Sequence, residues 1–311
     1  MNYRKLGKTG LVVSEIGFGS WAISGKAYGK TDDTESIKTL NEALENGVTF
    51  IDTADSYGNG HCEELIGKVL SERKDKDTIV ATKFGWDFYN KDGIRGNLTP
   101  EYINFAVDQS LKRLNRDRID IYQIHSQKPS NIIDNNVFET LEKLKTNGKI
   151  RHYGISVHLI KDAHKILNQF EIDTLQIPYN LLNYKKAESL LEDEFINSVG
   201  IICREPLASG FLTGKYDIDS KFEKTDHRNG YSPEHLKEIV NYVNKFRFLE
   251  IEGRNLTQSS INFCLQSKKI GVVIPGIKNR TQLFENLEST NYEFTETELG
   301  KISLNSRLDL N

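Results

Sequence analysis

The chain has 311 residues, of which 37% are hydrophobic and 27% charged, and a formal net charge of −3. That length suits one large α/β domain or two small ones, and the composition belongs to a folded chain rather than a disordered one. The absence of a long basic block argues against a nucleic-acid partner, and no run approaches membrane-spanning length. Cys62, Cys203 and Cys264, scattered and without a CxxC spacing, argue against a metal centre or a disulfide framework. Residues 1–17 show no apolar signal-type segment, so a reducing cytoplasm is the expected location.

A short hairpin is predicted first, residues 3–6 against 12–14 around Lys8-Thr9-Gly10. Brief apolar runs then alternate with helix-length amphipathic stretches. The runs cover 16–18, 49–52, 78–83, 119–125, 150–156, 174–178, 200–204 and 271–274. They are rich in Ile and Val and bounded by Gly, Asn or Asp, as strands covered on both faces should be. Helices are predicted at 34–45, 101–114, 136–145, 159–170, 185–199, 259–266 and 281–287. Ile37, Leu40 and Leu44 repeat at helical spacing in the first, with Asn46-Gly47 as a stop; Ile103, Val107, Leu111 and Leu114 do so in the second. Strand, turn, helix, turn, repeated with no linker-like segment, predicts a single domain over residues 1–311. Its expected form is a closed (β/α)8 TIM barrel with a short N-terminal β-hairpin. The competing architecture, an open doubly wound sheet, is usually marked by G-x-G-x-x-G after its first strand. Here that place reads Gly17-Phe18-Gly19-Ser20-Trp21-Ala22, without the third glycine.

In such a barrel the catalytic groups stand at the C-terminal ends of strands. Asp52 ends the second run and Tyr57 lies just beyond it; Lys83 ends the third run and His125 the fourth. Each alone has an ordinary explanation: a turn cap, an amphipathic loop aromatic, a solvated strand end, a satisfied polar terminus. Together, on neighbouring strands, they make a chemical set. A phenol with a pKa near 10 is a poor acid at neutral pH, and an adjacent Lys83 ammonium is expected to lower that value. Asp52 supplies the carboxylate that keeps a desolvated Lys83 charged, and His125 can orient the oxygen that Tyr57 protonates. The set suits protonation of a carbonyl oxygen while hydride arrives at carbon. None of these side chains can carry hydride, so a cofactor must bring it.

Over residues 3–288 the sequence closely resembles the aldo-keto reductases, NADP-preferring (β/α)8 oxidoreductases. The matching stretches, in family order, are "IDTADSYGNGHCEELIGKVL", "IVATKFG", "SLKRLNRDRIDIYQIH", "GISV", "LQIPYNLL", "EPLASGFLTGKY" and "VIPGIKNRTQLFENL". The resemblance places the family's tetrad on Asp52, Tyr57, Lys83 and His125 without substitution. It implies Tyr57 as general acid, Lys83 lowering its pKa, Asp52 paired with Lys83, and His125 positioning the carbonyl. It also implies NADP(H) bound in extended form. Gly19, Ser20 and Trp21 then lie near the nicotinamide ribose, with Asp52 beside them, and Ser156 and Gln176 hold the carboxamide. Arg204 stands where many members stack an aromatic on the nicotinamide, a contact a guanidinium plane can also make, although a simple pair with Glu205 is the plainer role. Leu207, Ser209 and Gly210 border the pyrophosphate. Gly276, Lys278, Gln282, Glu285 and Asn286 border the adenosine end, where Lys278, with Arg280, is the candidate for a 2′-phosphate. The chain departs from the family pattern at Val157, where Asn is frequent, at Ser126, where Trp is common, and at Cys62, where a helix-capping serine is frequent.

Substrate choice is expected from the loops over the mouth: Trp21, Lys26 and Tyr28, residues 86–89, residues 127–129, and the polar insertion 216–231, which is expected to include a lid. Trp86, Phe88 and Tyr89 suggest either an apolar wall or packing against the rim. The expected partner is a small-molecule carbonyl compound met by a monomer. Two other readings stay open at this point. One is a lyase barrel with Lys83 as a Schiff-base nucleophile, in which Tyr57 has no evident task. The other is a fold-retaining nucleotide-binding regulatory subunit with little turnover, as ion-channel accessory members of the family are.

Overall fold

The structure, a computed structural model, describes residues 1–90, 93–134 and 136–305. Its centre is a sheet of eight parallel strands: β1 (Phe18–Gly19), β2 (Phe50–Asp52), β3 (Ile79–Phe84), β4 (Ile119–His125), β5 (Ile150–Ser156), β6 (Thr174–Pro178), β7 (Gly200–Arg204) and β8 (Ile270–Ile274). Each strand pairs with the next in chain order. The ring closes where Gly17 N donates to Val273 O at 2.8 Å and Gly19 N to Pro275 O at 3.0 Å. This is the predicted (β/α)8 barrel. The predicted hairpin is also present, Tyr3–Lys5 pairing antiparallel with Val12–Ser14.

Strand alternation explains what the barrel holds inside. Inward residues recur every second position, so each strand presents one layer after another along the barrel axis. The lower layers are apolar: Phe50, Ile79, Ala81, Ile121, Ile202 and Val272 form one buried cluster with Leu6, Leu11 and Val13 from the hairpin region. Two residues further along the same strands the chain turns polar, at Asp52 after Phe50, Lys83 after Ala81, Gln123 after Ile121 and Arg204 after Ile202. The barrel is therefore packed below and chemically equipped above. The outer strand faces carry Ile51, Val80 and Ile124, which pack in a second buried cluster with helix residues such as Leu40, Ile66, Ile103 and Val107. Each such side chain contributes about 1.5–3 kcal/mol through burial.

Local chemistry sets the helix ends. In the helix Pro100–Leu114, Pro100 occupies the first turn, Thr99 Oγ1 accepts from Tyr102 N at 3.3 Å, and Asn115 ends it in the left-handed region at φ 52°. The predicted helix 185–199 is two pieces. Lys185–Glu192 stops because Asp193 adopts an extended backbone, and a 3₁₀ turn, Glu194–Ser198, follows. Among the described residues the periodicity reading missed three helices of ten residues or more, His61–Arg73, Pro233–Asn244 and Glu296–Asn305, and the short helix Pro129–Asp134. The second lies just beyond the insertion taken as polar, yet Ser232 caps it and Leu236, Val240 and Val243 bury its inner face. Cys62 is not a cap: Gly60, at φ 97°, holds that position, and Cys62 is buried inside the helix with its thiol on Ser20 O at 3.3 Å. No helix among the described residues is long and apolar enough to cross a membrane.

Candidate active site

At the C-terminal mouth of the barrel the four residues from β2, β3, β4 and the loop after β2 meet. Lys83 Nζ donates to Asp52 Oδ1 at 2.6 Å, to Thr53 O at 2.9 Å and to Tyr57 Oη at 3.2 Å. All three ammonium protons thus have an acceptor, as a fully buried cation requires. The second Asp52 oxygen accepts from Gln176 Nε2 at 2.7 Å and from Gln123 Nε2 at 3.5 Å, and Ser156 Oγ donates to Gln176 Oε1 at 3.2 Å. Strands β2 to β6 are therefore joined by one polar network. The Tyr57 ring meets His125 edge-on, with centroids 5.6 Å apart, and His125 Nδ1 lies 3.3 Å from Ser56 Oγ.

The local backbone fixes these positions. Asp55 N donates to Lys83 O at 3.1 Å and Tyr57 N to Ala54 O at 3.1 Å, so the turn after β2 is tied to the end of β3. Gly19 ends β1 against the barrel seam, where a Cβ would sit 2.7 Å from Pro275 O, so no larger residue fits without moving backbone.

Electrostatics assign the resting protonation states. Burial favours the neutral amine at Lys83, but Asp52 and Tyr57 outweigh it and hold the ammonium above its ordinary pKa. Burial raises the Tyr57 phenol above its usual 10, and the Lys83 ammonium opposes this without reversing it. The expected lowering of the tyrosine is corrected in that sense: desolvation of the phenolate exceeds the attraction of a cation already shared with Asp52. His125 is pushed well below 6.5, first by burial and then by Lys83 and Arg204, and is a neutral imidazole.

A cavity of about 630 Å³ opens above these groups, a size that suits a small-molecule ligand. Tyr57 and His125 line one part of it, and Gly276, Lys278 and Gln282 another. Of the other residues singled out from the sequence, Gly19, Trp21, Asp52, Ser156, Gln176, Arg204, Leu207, Ser209 and Gly210 also line it. Lys83, fully buried behind Asp52 and Tyr57, does not, nor do Ser20, Arg280, Glu285 and Asn286. Ser20 is buried at the start of the 3₁₀ turn Ser20–Ile23, Arg280 turns outward to Glu42 at 3.1 Å, and Glu285 accepts from Asn255 at 2.8 Å. Lys278 Nζ donates to Tyr28 O at 2.9 Å, tying the loop after β8 to the loop after β1. Arg204 pairs with Glu205 and donates through Nη2 to Val157 O at 3.0 Å.

Among the residues that line the cavity, Arg204 has a buried Nε with no partner among the described residues. Unsatisfied buried groups are costly and call for a partner the protein itself does not supply. The loop after β7 adds strain of the kind that gathers at ligand sites, with Glu205, Ala208 and Ser209 all at positive φ. A cavity lined by hydrogen-bonding groups and by Lys278 fits a dinucleotide.

Some lining residues were not foreseen. Arg228 is buried, bonded to Asp226 at 2.6 Å and to Ser209 O at 2.9 Å, with its guanidinium 5.0 Å from the Tyr28 ring and 4.8 Å from that of Tyr216. Its neighbour His227 bonds Ala27 O, so the 216–231 insertion crosses from the loop after β7 to the loop after β1. The signal available in the sequence was an arginine amid aromatics in that insertion. Ser56, Ser126 and His158 also line the cavity. By contrast, the aromatics after β3 face away from it. Phe88 stacks on Tyr89, Tyr89 meets Phe105, and the Tyr89 hydroxyl accepts from Arg113. They pack on the rim beside helix Pro100–Leu114 rather than walling the substrate.

Known proteins similar to this chain bear on its family and fold. The family model described as Aldo/keto reductase family matches residues 15–304. Aldo-keto reductase YhdN of Bacillus subtilis (strain 168) is 33% identical over 289 residues, 91% of this chain and 87% of that protein. The holo form of aldo-keto reductase AKR11C1 from Bacillus halodurans superposes with a TM-score of 0.83 at 28% identity, covering 100% of this chain and 98% of the other. The glycerol dehydrogenase AKR11B4 from Gluconobacter oxydans gives a TM-score of 0.83 at 27% identity, covering 97% and 94%. Fold, strand-end residues and these matches agree: the chain belongs to the aldo/keto reductase family, whose members are in general NAD(P)-dependent oxidoreductases acting on carbonyls.

Proposed function

We propose that the chain reduces an aldehyde or ketone to the alcohol with NADPH, and that Tyr57 gives the proton. The observation that carries this reading is the bond from Lys83 Nζ to Tyr57 Oη, made by an ammonium that Asp52 holds charged, at the wall of a ligand-sized cavity. When bound, the reduced nicotinamide supplies hydride. The residues of the chain do the rest. Tyr57, still protonated at neutral pH, donates to the carbonyl oxygen. Lys83 stabilises the phenolate that this leaves, a charge formed only as the proton moves, where electrostatic help is most effective. His125, neutral, offers an N–H to the same oxygen. Gln176, oriented by Asp52, and Ser156, bonded in turn to Gln176, stand ready for an amide, and Lys278 supplies positive charge for a 2′-phosphate.

Lys83 is held as an ammonium with three acceptors, which disfavours a Schiff-base nucleophile, since that role needs a free amine. The test follows loss of NADPH absorbance with a panel of aldehydes and ketones, comparing the wild type with Tyr57→Phe. The expected result is a large drop in kcat with cofactor affinity little changed. Equal turnover in the two proteins removes Tyr57 as the acid. Borohydride trapping of Lys83 with a carbonyl substrate supports the lyase instead.

A further inference from the structure

We infer that Ser56 is a positioning residue for His125: its hydroxyl donates to Nδ1, holds the ring in place, and leaves the single imidazole proton on Nε2 for the carbonyl oxygen. This rests on the carbonyl-reduction reading above. Ser56 Oγ, 3.3 Å from Nδ1, is the one hydrogen-bond partner of the His125 ring among the described residues. Ser56 and His125 both line the cavity. Ser56 is itself fixed, because the backbone on either side of it is bonded, Asp55 N to Lys83 O and Tyr57 N to Ala54 O, and its own carbonyl accepts from Asn59 N at 3.2 Å.

A neutral imidazole carries one N–H and one lone pair, and the partner of one nitrogen decides what the other offers. Burial, with the Lys83 and Arg204 charges, keeps the ring neutral, so it cannot donate from both sides. With the proton on Nδ1, the Nε2 lone pair would oppose the lone pairs of the carbonyl oxygen. With the proton on Nε2, both nitrogens are satisfied, one by substrate and the other by Ser56. The edge-on contact with Tyr57 limits where the ring can sit but supplies no hydrogen bond, so rotation about the ring axis is governed by Ser56. Removing the hydroxyl takes away the protein partner of Nδ1 among the described residues and leaves the ring free to turn away from the oxygen.

The experiment combines ¹⁵N spectra of histidine-labelled protein, assigned with His125→Gln, with kinetics of Ser56→Ala and Ser56→Thr. In the wild type the His125 signals should show a protonated Nε2 and a hydrogen-bonded, unprotonated Nδ1. Ser56→Ala should move the Nδ1 resonance to that of an unbonded acceptor and lower kcat about tenfold, the loss expected for one hydrogen bond to a buried group, with NADPH affinity unchanged. Ser56→Thr, which restores a hydroxyl, should recover both. A wild-type proton on Nδ1, an unchanged kcat in Ser56→Ala, or a failure of threonine to rescue each overturns the inference. The spectra need no turnover. A wild type inactive on every carbonyl therefore counts against the proposed function, while a wrong tautomer counts against Ser56 alone.

Discussion

Replacing Lys83 by methionine tests the buried charge set directly. Methionine keeps much of the apolar stem but removes three hydrogen bonds, to Asp52, Thr53 and Tyr57. What remains is a buried Asp52 carboxylate facing Gln176 and Gln123 but no cation. Breaking a buried pair in this way costs about 3–5 kcal/mol. Because Asp52 retains its amide donors, about 3 kcal/mol is the appropriate figure, a fall in Tm of about 5 °C for a domain of this size. Thermal unfolding followed by circular dichroism, with Asp52→Asn and the double variant Asp52→Asn/Lys83→Met alongside, gives the coupling. The double variant should recover most of the loss, since no unpaired charge remains. Lys83→Met as stable as the wild type, or a double variant as unstable as the two singles summed, would refute the view of Asp52 and Lys83 as a mutually dependent buried ion pair.

Other consequences can be measured separately. Lys278→Ala should weaken NADPH binding about tenfold while changing NADH little, the loss of one charge-assisted contact. Arg280→Ala, whose guanidinium is turned to Glu42, should change neither much, and equal weakening of both cofactors in Lys278→Ala would contradict the 2′-phosphate role. In the reducing direction kcat should stay flat from about pH 6 to about pH 9, because the acid must be protonated and burial holds Tyr57 above 10. His125, held well below 6.5, adds no step near neutrality, and a fall in kcat beginning below about pH 9 would show a less buried phenol. Gly67→Ala should destabilise the fold by several kcal/mol at constant fluorescence of bound NADPH, because the new methyl meets Arg113 O at 2.2 Å where two helices touch. An unchanged Tm would mean that the helices can part freely.

Much of the barrel was legible because its strands are brief, Ile- and Val-rich runs, such as β7 and β8, set apart by helix-length amphipathic stretches. That Asp52, Lys83 and His125 meet at one mouth was legible because they are the last residues, or nearly so, of strands whose lower layers are apolar. The helix His61–Arg73 was hidden in plain view, its Leu65, Ile66, Val69 and Leu70 spaced as a helix should be. Ser56 was not legible as a lining residue, and Arg228 only as one unspecified position of the insertion 216–231. Their position depends on how a long loop folds back over the mouth and on a neighbouring strand end, and no local period records that. The direction of the Tyr57 shift was missed because a sequence shows the charges near a phenol but not the extent to which water is removed from it.

The central claim, proton donation from Tyr57 as hydride reaches carbon, is tested most directly in a single turnover with deuterated NADPH, which separates chemistry from cofactor release. Tyr57→Phe should bind NADPH with unchanged affinity yet transfer deuteride to the carbonyl carbon about a thousandfold more slowly, within the range a positioned general acid contributes. Transfer at the wild-type rate with phenylalanine in place would contradict the account.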